Sequence, residues 1–293
     1  MALGRPRVDS FDAGLENPAS CSPGDQHRVF HYFGYGSNIN LTSLRAKGVE
    51  PRWSQRATLH GWKLLFNVQH WFRHEGGVGN IQPSDRPADR VQGLVHACED
   101  GDLALLDAVE SYGVGYDRIE VELETARGPL RALTYVGLPS YLNDSCRPTR
   151  RYLNILLKGA VEAGLDGAYI EALRRHPVHA ELACPPFEHP GGPLPVFDRS
   201  SLAAHPRHTA LAGAVFDMSC ARPRLHCLWD LFGGRDMTLF YLKRLDSSDG
   251  SETLADIEEG RISEAGRSYL NAYLHAYDEE FRYIGRYPSD PRG

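Results

Sequence analysis

Short apolar runs and alternating apolar and polar positions dominate the first half of the chain. Aromatic and β-branched residues fill positions 29–33 and predict a buried strand. Farther along, Ile119, Val121 and Leu123 alternate with polar residues, as expected for a strand with one buried face. The pattern predicts strands at residues 29–33, 59–68, 90–97, 116–125 and 129–136, the last two joined as a hairpin at Gly128.

Apolar residues spaced three and four positions apart predict helices among these strands. A short helix spans residues 102–109 and ends at Glu110, and two more are predicted at residues 150–163 and 166–175. Another short helix ends near Ala46. Strands followed by added helices indicate an α+β fold: a small mixed β-barrel-like domain, then a second α+β region.

The second half of the chain begins with a change in composition. Residues 177–207 hold seven prolines and three histidines, which is typical of a linker. Beyond it, residues 209–218 and 237–245 predict strands, and residues 263–284 predict a long amphipathic helix. The predicted organisation is a flexible tail, a first region, a proline-rich linker and a second region, at residues 1–28, 29–178, 179–206 and 207–293.

Composition and charge narrow the possible functions. The chain has 293 residues, of which 42% are hydrophobic, with a formal net charge of -6 and a pI near 6.1. A mildly acidic chain lacks the basic surface typical of nucleic-acid binding, and no apolar run approaches the roughly 18 residues that cross a bilayer. No signal segment is evident, and the six cysteines are scattered. We therefore expect a cytoplasmic protein that binds neither nucleic acid nor membrane; the oligomeric state stays open.

A glycine-containing turn, residues 34–38, follows the first predicted strand and precedes a helix. Gly36 lets the backbone approach a ligand closely, and N–H groups released from the sheet suit an anion or a carbonyl oxygen. Ser37 and Asn38 add side-chain hydrogen bonds. Taken alone, the segment is more simply interpreted as an ordinary tight turn, because short glycine motifs are common.

Glu110 is the second candidate for chemistry. Lying between Val109 and a segment rich in glycine and tyrosine, its carboxyl group is expected to be partly withdrawn from water. That environment suits a group that takes up and releases protons near neutral pH. A solvated glutamate at a helix end is the simpler alternative when the residue is considered alone.

Four segments together resemble the γ-glutamyl cyclotransferase, AIG2-like superfamily, and they occur in that family's order. They are Tyr35-Gly36-Ser37-Asn38-Ile39, Gly77-Val78-Gly79-Asn80-Ile81, Asp107-Ala108-Val109-Glu110 and Gly115-Tyr116-Asp117-Arg118. The resemblance covers about residues 30–176. The chain departs from the family where Ser111 follows Glu110, since glycine is frequent there, and in continuing for over a hundred further residues.

The resemblance implies a small barrel-like domain that releases 5-oxoproline from γ-glutamyl compounds. It implies that Glu110 moves the protons and that the turn binds the glutamyl part of the substrate. By position, the substrate-binding residues would be Tyr35, Gly36, Ser37 and Asn38, with Tyr116 and Tyr135 as further pocket residues.

Two hypotheses follow from these features. The first is an enzyme that cleaves a γ-glutamyl amide or γ-glutamylamine, because the substrate's own α-amine can attack its γ-carbonyl without a protein nucleophile. Its partner is a small γ-glutamyl molecule, and the chemistry requires no cofactor and no metal. A variant has residues 207–293 selecting a larger substrate. The second hypothesis is a non-catalytic binding or regulatory module that retains the pocket. Histidines and cysteines in the second half lack a strong metal spacing.

Overall fold

The computed structural model describes residues 29–180 and 184–288, so the predicted tail at 1–28 lies outside them. The strands of the described part are β1 (Val29–Gly34), β2 (Trp53–His60), β3 (Trp62–Gln69), β4 (Gly77–Pro83), β5 (Arg90–Glu99), β6 (Tyr116–Thr125), β7 (Gly128–Gly137), β8 (His208–Leu211), β9 (Ala214–Asp217), β10 (Arg235–Asp236) and β11 (Arg282–Arg286). The helices are α1 (Leu41–Ala46), α2 (Asp102–Glu110), α3 (Arg150–Glu162), α4 (Gly167–Arg174), α5 (Arg199–Ala203), α6 (Trp229–Phe232), α7 (Thr238–Leu242), α8 (Leu254–Glu258) and α9 (Glu264–Glu280). No helix among them is long and apolar enough to cross a membrane.

Five strands of the first region close into a barrel in the order β1-β5-β2-β6-β7. Neighbours are antiparallel except β1 and β7, which run parallel where Tyr32 faces Leu133. Inward-facing apolar side chains, among them Phe33, Val95 and Leu123, fill the interior and are fully or almost fully buried. The predicted α+β, barrel-like fold is confirmed.

One predicted strand, at residues 59–68, is two strands in the structure. The chain reverses at Gly61, which has a φ of 73°, a conformation that glycine adopts without steric cost. β2 therefore ends at His60, and β3 turns away to pair with β4 as a separate two-stranded sheet. The apolar run at residues 59–68 predicted one strand because apolar residues that are at least partly buried lie on both sides of Gly61.

Helix α3 supports the turn that follows β1. Its apolar face, which includes Leu153 and Leu156, packs in a cluster with Ile39 and Phe66. Contact is so close at Gly159 that a Cβ atom there would lie 2.5 Å from the Asn40 backbone nitrogen. The helix therefore holds this turn against the barrel.

The second region forms a four-stranded sheet, β10-β8-β9-β11, covered by α9. The strand predicted at 209–218 is a hairpin that reverses at Ala212 and Gly213, which both have positive φ. The strand predicted at 237–245 is wrong, because α7 occupies it and buries Thr238, Tyr241 and Leu242 at helical spacing. The helix predicted at 263–284 ends at Glu280, and β11 follows.

The two regions share a core. Phe72, which is 2% exposed, leaves the end of β3 and stacks among aromatic rings of the second region. Its ring centroid lies 5.4 Å from that of Tyr273 and 5.3 Å from that of Tyr277, both on α9. The domain boundaries at residues 178 and 207 stay a prediction. The first and second regions pack against each other through buried side chains.

Candidate active site

The turn after β1 is held by buried hydrogen bonds. Residues Ser37–Ile39 form a single 3-10 turn, and the Asn40 side chain accepts a hydrogen bond from the Ser43 N–H to begin α1. His96 Nε2 lies 3.0 Å from the Asn38 carbonyl oxygen, and Ser54 Oγ lies 2.7 Å from His96 Nδ1. Burial lowers the pKa of His96 to about 4, so the neutral ring donates through Nε2 and accepts from Ser54.

Glu110 is the last residue of α2 and points toward this turn. The Asn38 side-chain amide donates a hydrogen bond to Glu110 Oε1 at 3.1 Å, although 72 positions separate the two residues. Only 16% of the Glu110 side chain is exposed. Ser111 follows with a φ of 51°, in the left-handed region that favours glycine. Although it is not glycine, Ser111 caps the C-terminus of α2 in this conformation. The structure therefore brings the carboxyl group and the turn together.

Lys47 completes the cluster and was missed by the sequence analysis. Its side chain is 4% exposed, and its ammonium group lies 3.4 Å from Glu110 Oε1 and also donates to the Asn38 side-chain oxygen. Burial lowers the pKa of Lys47 to about 8, although the Glu110 charge opposes that shift. Nothing in the sequence marked this residue, because a lysine just after a short helix is normally solvated.

Lys47 gives a testable dependence of stability on pH. The pKa of Lys47 is about 8 in the folded protein and near the usual lysine value of 10.5 in the unfolded chain. Between these values the unfolded chain binds more protons, so raising the pH favours the folded state. Relative to Lys47→Met, the free energy of unfolding should rise by about 2 to 3 kcal/mol between about pH 7 and about pH 10.

Denaturant titrations of both proteins at the two pH values measure this difference. Lys63→Met, which removes an exposed lysine from β3, serves as the matched control and should show almost no change relative to the parent. A parent that loses stability relative to Lys47→Met over this interval would contradict a buried, charged Lys47.

Tyrosine hydroxyl groups surround the turn. Tyr35 donates to the Tyr135 carbonyl oxygen at 2.6 Å, and Tyr116 donates to the Gly79 carbonyl oxygen at 2.7 Å. The Tyr152 hydroxyl accepts from the Gly79 N–H at 3.0 Å, and a Cβ atom on Gly36 would lie 2.8 Å from the same hydroxyl. The glycine in the turn therefore makes room for a tyrosine hydroxyl.

A cavity of about 100 Å³ lies beside this cluster, enough for several water molecules or a small ligand. Of the residues predicted from sequence, Ser37, Glu110 and Tyr116 line it, whereas Tyr35, Gly36, Asn38 and Tyr135 stand outside the lining. Tyr135 donates instead to Asp107 at 2.7 Å. The first region also contributes Lys47, Trp71, Tyr141 and Tyr152.

The second region supplies further parts of the wall. Its lining residues are Leu228, Leu231, Phe232, Phe240, Tyr241, Arg244 and Tyr273. The variant in which residues 207–293 select a larger substrate stays a hypothesis. Residues 29–180 and 184–288 contain no group of three His, Cys, Asp or Glu side chains arranged to hold a metal ion. The site therefore combines one carboxyl group, two cations and several aromatic side chains.

The first region of the chain is similar to known proteins. A family model described as gamma-glutamyl cyclotransferase, AIG2-like, matches residues 32–153. The γ-glutamylcyclotransferases of Mus musculus and Homo sapiens are each 30% identical to the chain, over 155 and 158 residues, and the matches cover 52% of this chain and 80% of each relative. A solved γ-glutamyl cyclotransferase structure shares 26% identity and a TM-score of 0.45, covering 52% of this chain and 90% of its own. On its sequence, the chain belongs to the γ-glutamyl cyclotransferase, AIG2-like family.

Proposed function

We propose that the protein cleaves a γ-glutamyl amide or γ-glutamylamine and releases 5-oxoproline and a free amine. The observation that carries this proposal is the 3.1 Å contact between Asn38 of the turn and Glu110, which lines the cavity. One carboxyl group and one hydrogen-bonding turn are the two parts that such a cyclisation needs.

The reaction begins with the substrate's own α-ammonium group. Glu110 takes a proton from it, and the freed amine attacks the γ-carbonyl carbon to form the new ring C–N bond. Collapse of the tetrahedral intermediate breaks the old amide bond while Glu110 returns this proton to the departing nitrogen. The second proton of the attacking nitrogen then passes through Glu110 to the departing amine, which leaves a neutral lactam and an ammonium group. Atoms and charge balance without a protein nucleophile, and the intramolecular attack keeps the entropic cost low.

The surrounding residues support each part of this sequence. Asn38 and Lys47 both contact Oε1 of Glu110, so we assign Oε2 to the proton transfers. The Asn38 N–H has no acceptor within the Ser37–Ile39 turn, which makes it a candidate to bind the glutamyl group or the developing oxyanion. Tyr116 and Tyr152 also line the cavity.

Release of 5-oxoproline by the purified protein tests the proposal. The panel consists of γ-glutamyl-alanine and a series of γ-glutamylamines, and we expect turnover of at least one of them. Binding of a γ-glutamyl compound without turnover of any panel member would support a non-catalytic module instead. A cytoplasmic location remains part of the same proposal.

A further inference from the structure

Arg244 is the charged group in the cavity wall that the proposed reaction does not use. It follows α7, is partly buried, and among the described residues no carboxylate lies within ion-pair distance of its guanidinium group. The guanidinium carbon lies 4.7 Å from the centre of the Phe240 ring. An aromatic face therefore holds the cation, while its hydrogen-bond donors are left for a ligand.

The charges around the cavity do not cancel. Glu110 is matched by Lys47, and burial lowers the pKa of His70 to about 4, so this lining histidine is neutral. Burial is also the main reason for the low pKa of Lys47, and the Arg244 charge adds to that effect. Arg244 is therefore close enough to affect the charge of Lys47 in the Lys47–Glu110 ion pair. Because no carboxylate pairs with Arg244, the cavity lining carries one uncompensated positive charge.

Apart from Arg244, the part of the wall that the second region supplies is aliphatic and aromatic, and it includes Leu231, Phe232 and Phe240. Trp71 and Tyr141 of the first region also line the cavity. The last two rings meet edge to face, with centroids 5.0 Å apart. A ligand placed here would contact aromatic and aliphatic surface along its length and a single cation at one point.

We infer that the second region forms the leaving-group subsite, and that Arg244 binds a carboxylate on an otherwise apolar leaving amine. The inference rests on the proposed function, which already assigns the glutamyl part to the turn and Glu110 of the first region. Arg244 belongs to the wall from the second region, where the departing part of the substrate remains to be held. The favoured substrates are thus γ-glutamyl derivatives of apolar amines that carry a carboxylate.

Two substrates that differ only in that carboxylate test the inference: γ-glutamyl-phenylalanine and γ-glutamyl-phenethylamine. The parent protein should prefer the first by about 10- to 100-fold in kcat/KM, since a hydrogen-bonded ion pair contributes about 1.5 to 3 kcal/mol. Arg244→Gln should lose this preference through a higher KM for γ-glutamyl-phenylalanine, with γ-glutamyl-phenethylamine little changed. Lys243→Gln, a charge change one residue away and outside the lining, is the matched control.

The remaining outcomes separate this inference from the proposed function. A parent without any preference, or an equal loss on both substrates in Arg244→Gln, overturns the role of Arg244 and leaves the proposed reaction intact. Equilibrium binding of both compounds to Glu110→Gln and to the Glu110→Gln, Arg244→Gln pair is scored independently of turnover. Absence of turnover in the parent contradicts the proposed function, whereas loss of the binding preference in the double variant still supports the subsite.

Discussion

Replacing Glu110 with glutamine is expected to lower kcat for 5-oxoproline release by about 10²- to 10⁴-fold, the usual contribution of a positioned general acid or base. Glutamine keeps the shape of the side chain and an oxygen that can accept from Asn38, but it cannot carry a proton between two nitrogens. Binding of the γ-glutamyl compound should change little, so the loss should be in kcat. Steady-state rates and equilibrium binding together measure the two effects.

Glu162→Gln is the matched control for this variant. Glu162 is also the last residue of a helix, α3, but it is exposed and far from the turn in sequence. Its replacement should leave both kcat and binding unchanged. A Glu110→Gln protein with the activity of the parent would remove Glu110 from the mechanism, whatever the cavity binds.

The second large effect is expected in stability, from Arg151→Met. Glu75 is 1% exposed, its carboxylate contacts the Arg151 guanidinium, and Tyr269 and Tyr273 each donate to it at 2.9 Å. Burial alone would raise the pKa of Glu75, but the Arg151 charge holds it below the usual value. Removing Arg151 leaves a buried, unpaired carboxylate and should lower the free energy of unfolding by about 3 to 5 kcal/mol.

Chemical denaturation of three proteins tests this expectation. Arg150→Met removes the exposed neighbouring arginine and should cost almost nothing. The double variant Glu75→Gln, Arg151→Met removes both charges, so it should be more stable than Arg151→Met alone. If Arg151→Met and Arg150→Met have the same free energy of unfolding, the Glu75–Arg151 ion pair does not stabilise the fold. Because Tyr269 and Tyr273 lie on α9, loss of the ion pair should also destabilise the second region.

Local patterns were sufficient to predict much of the first region. The hairpin of β6 and β7 is evident from its alternation and from Gly128, because strand pairing and turn chemistry both depend on neighbouring residues. The end of α2 at Glu110 follows from apolar spacing in the same way. The roles assigned to Glu110 and to the turn stay predictions, although the structure places the two side by side.

What could not be predicted depends on distant partners. Residues 237–245 are rich in residues that favour strands, yet Tyr241 and Leu242 are buried on one side of a helix against α9. Lys47 looks like a surface lysine until Asn38 and Glu110 enclose it. Arg244 and the aromatic side chains of the second region that line the cavity lie more than a hundred positions after Glu110. No local sequence pattern therefore connects them to the site.

The cavity is lined by residues from two distant parts of the chain, and the ribosome synthesises these parts at different times. Translation completes Glu110 and the turn long before Arg244 and the aromatic side chains that face them. A nascent chain halted between these points has Glu110 without the opposite wall, and its Glu75 lacks the hydrogen bonds from Tyr269 and Tyr273. The cavity is therefore complete only once the chain through Tyr273 has emerged, and the proposed activity should begin no earlier.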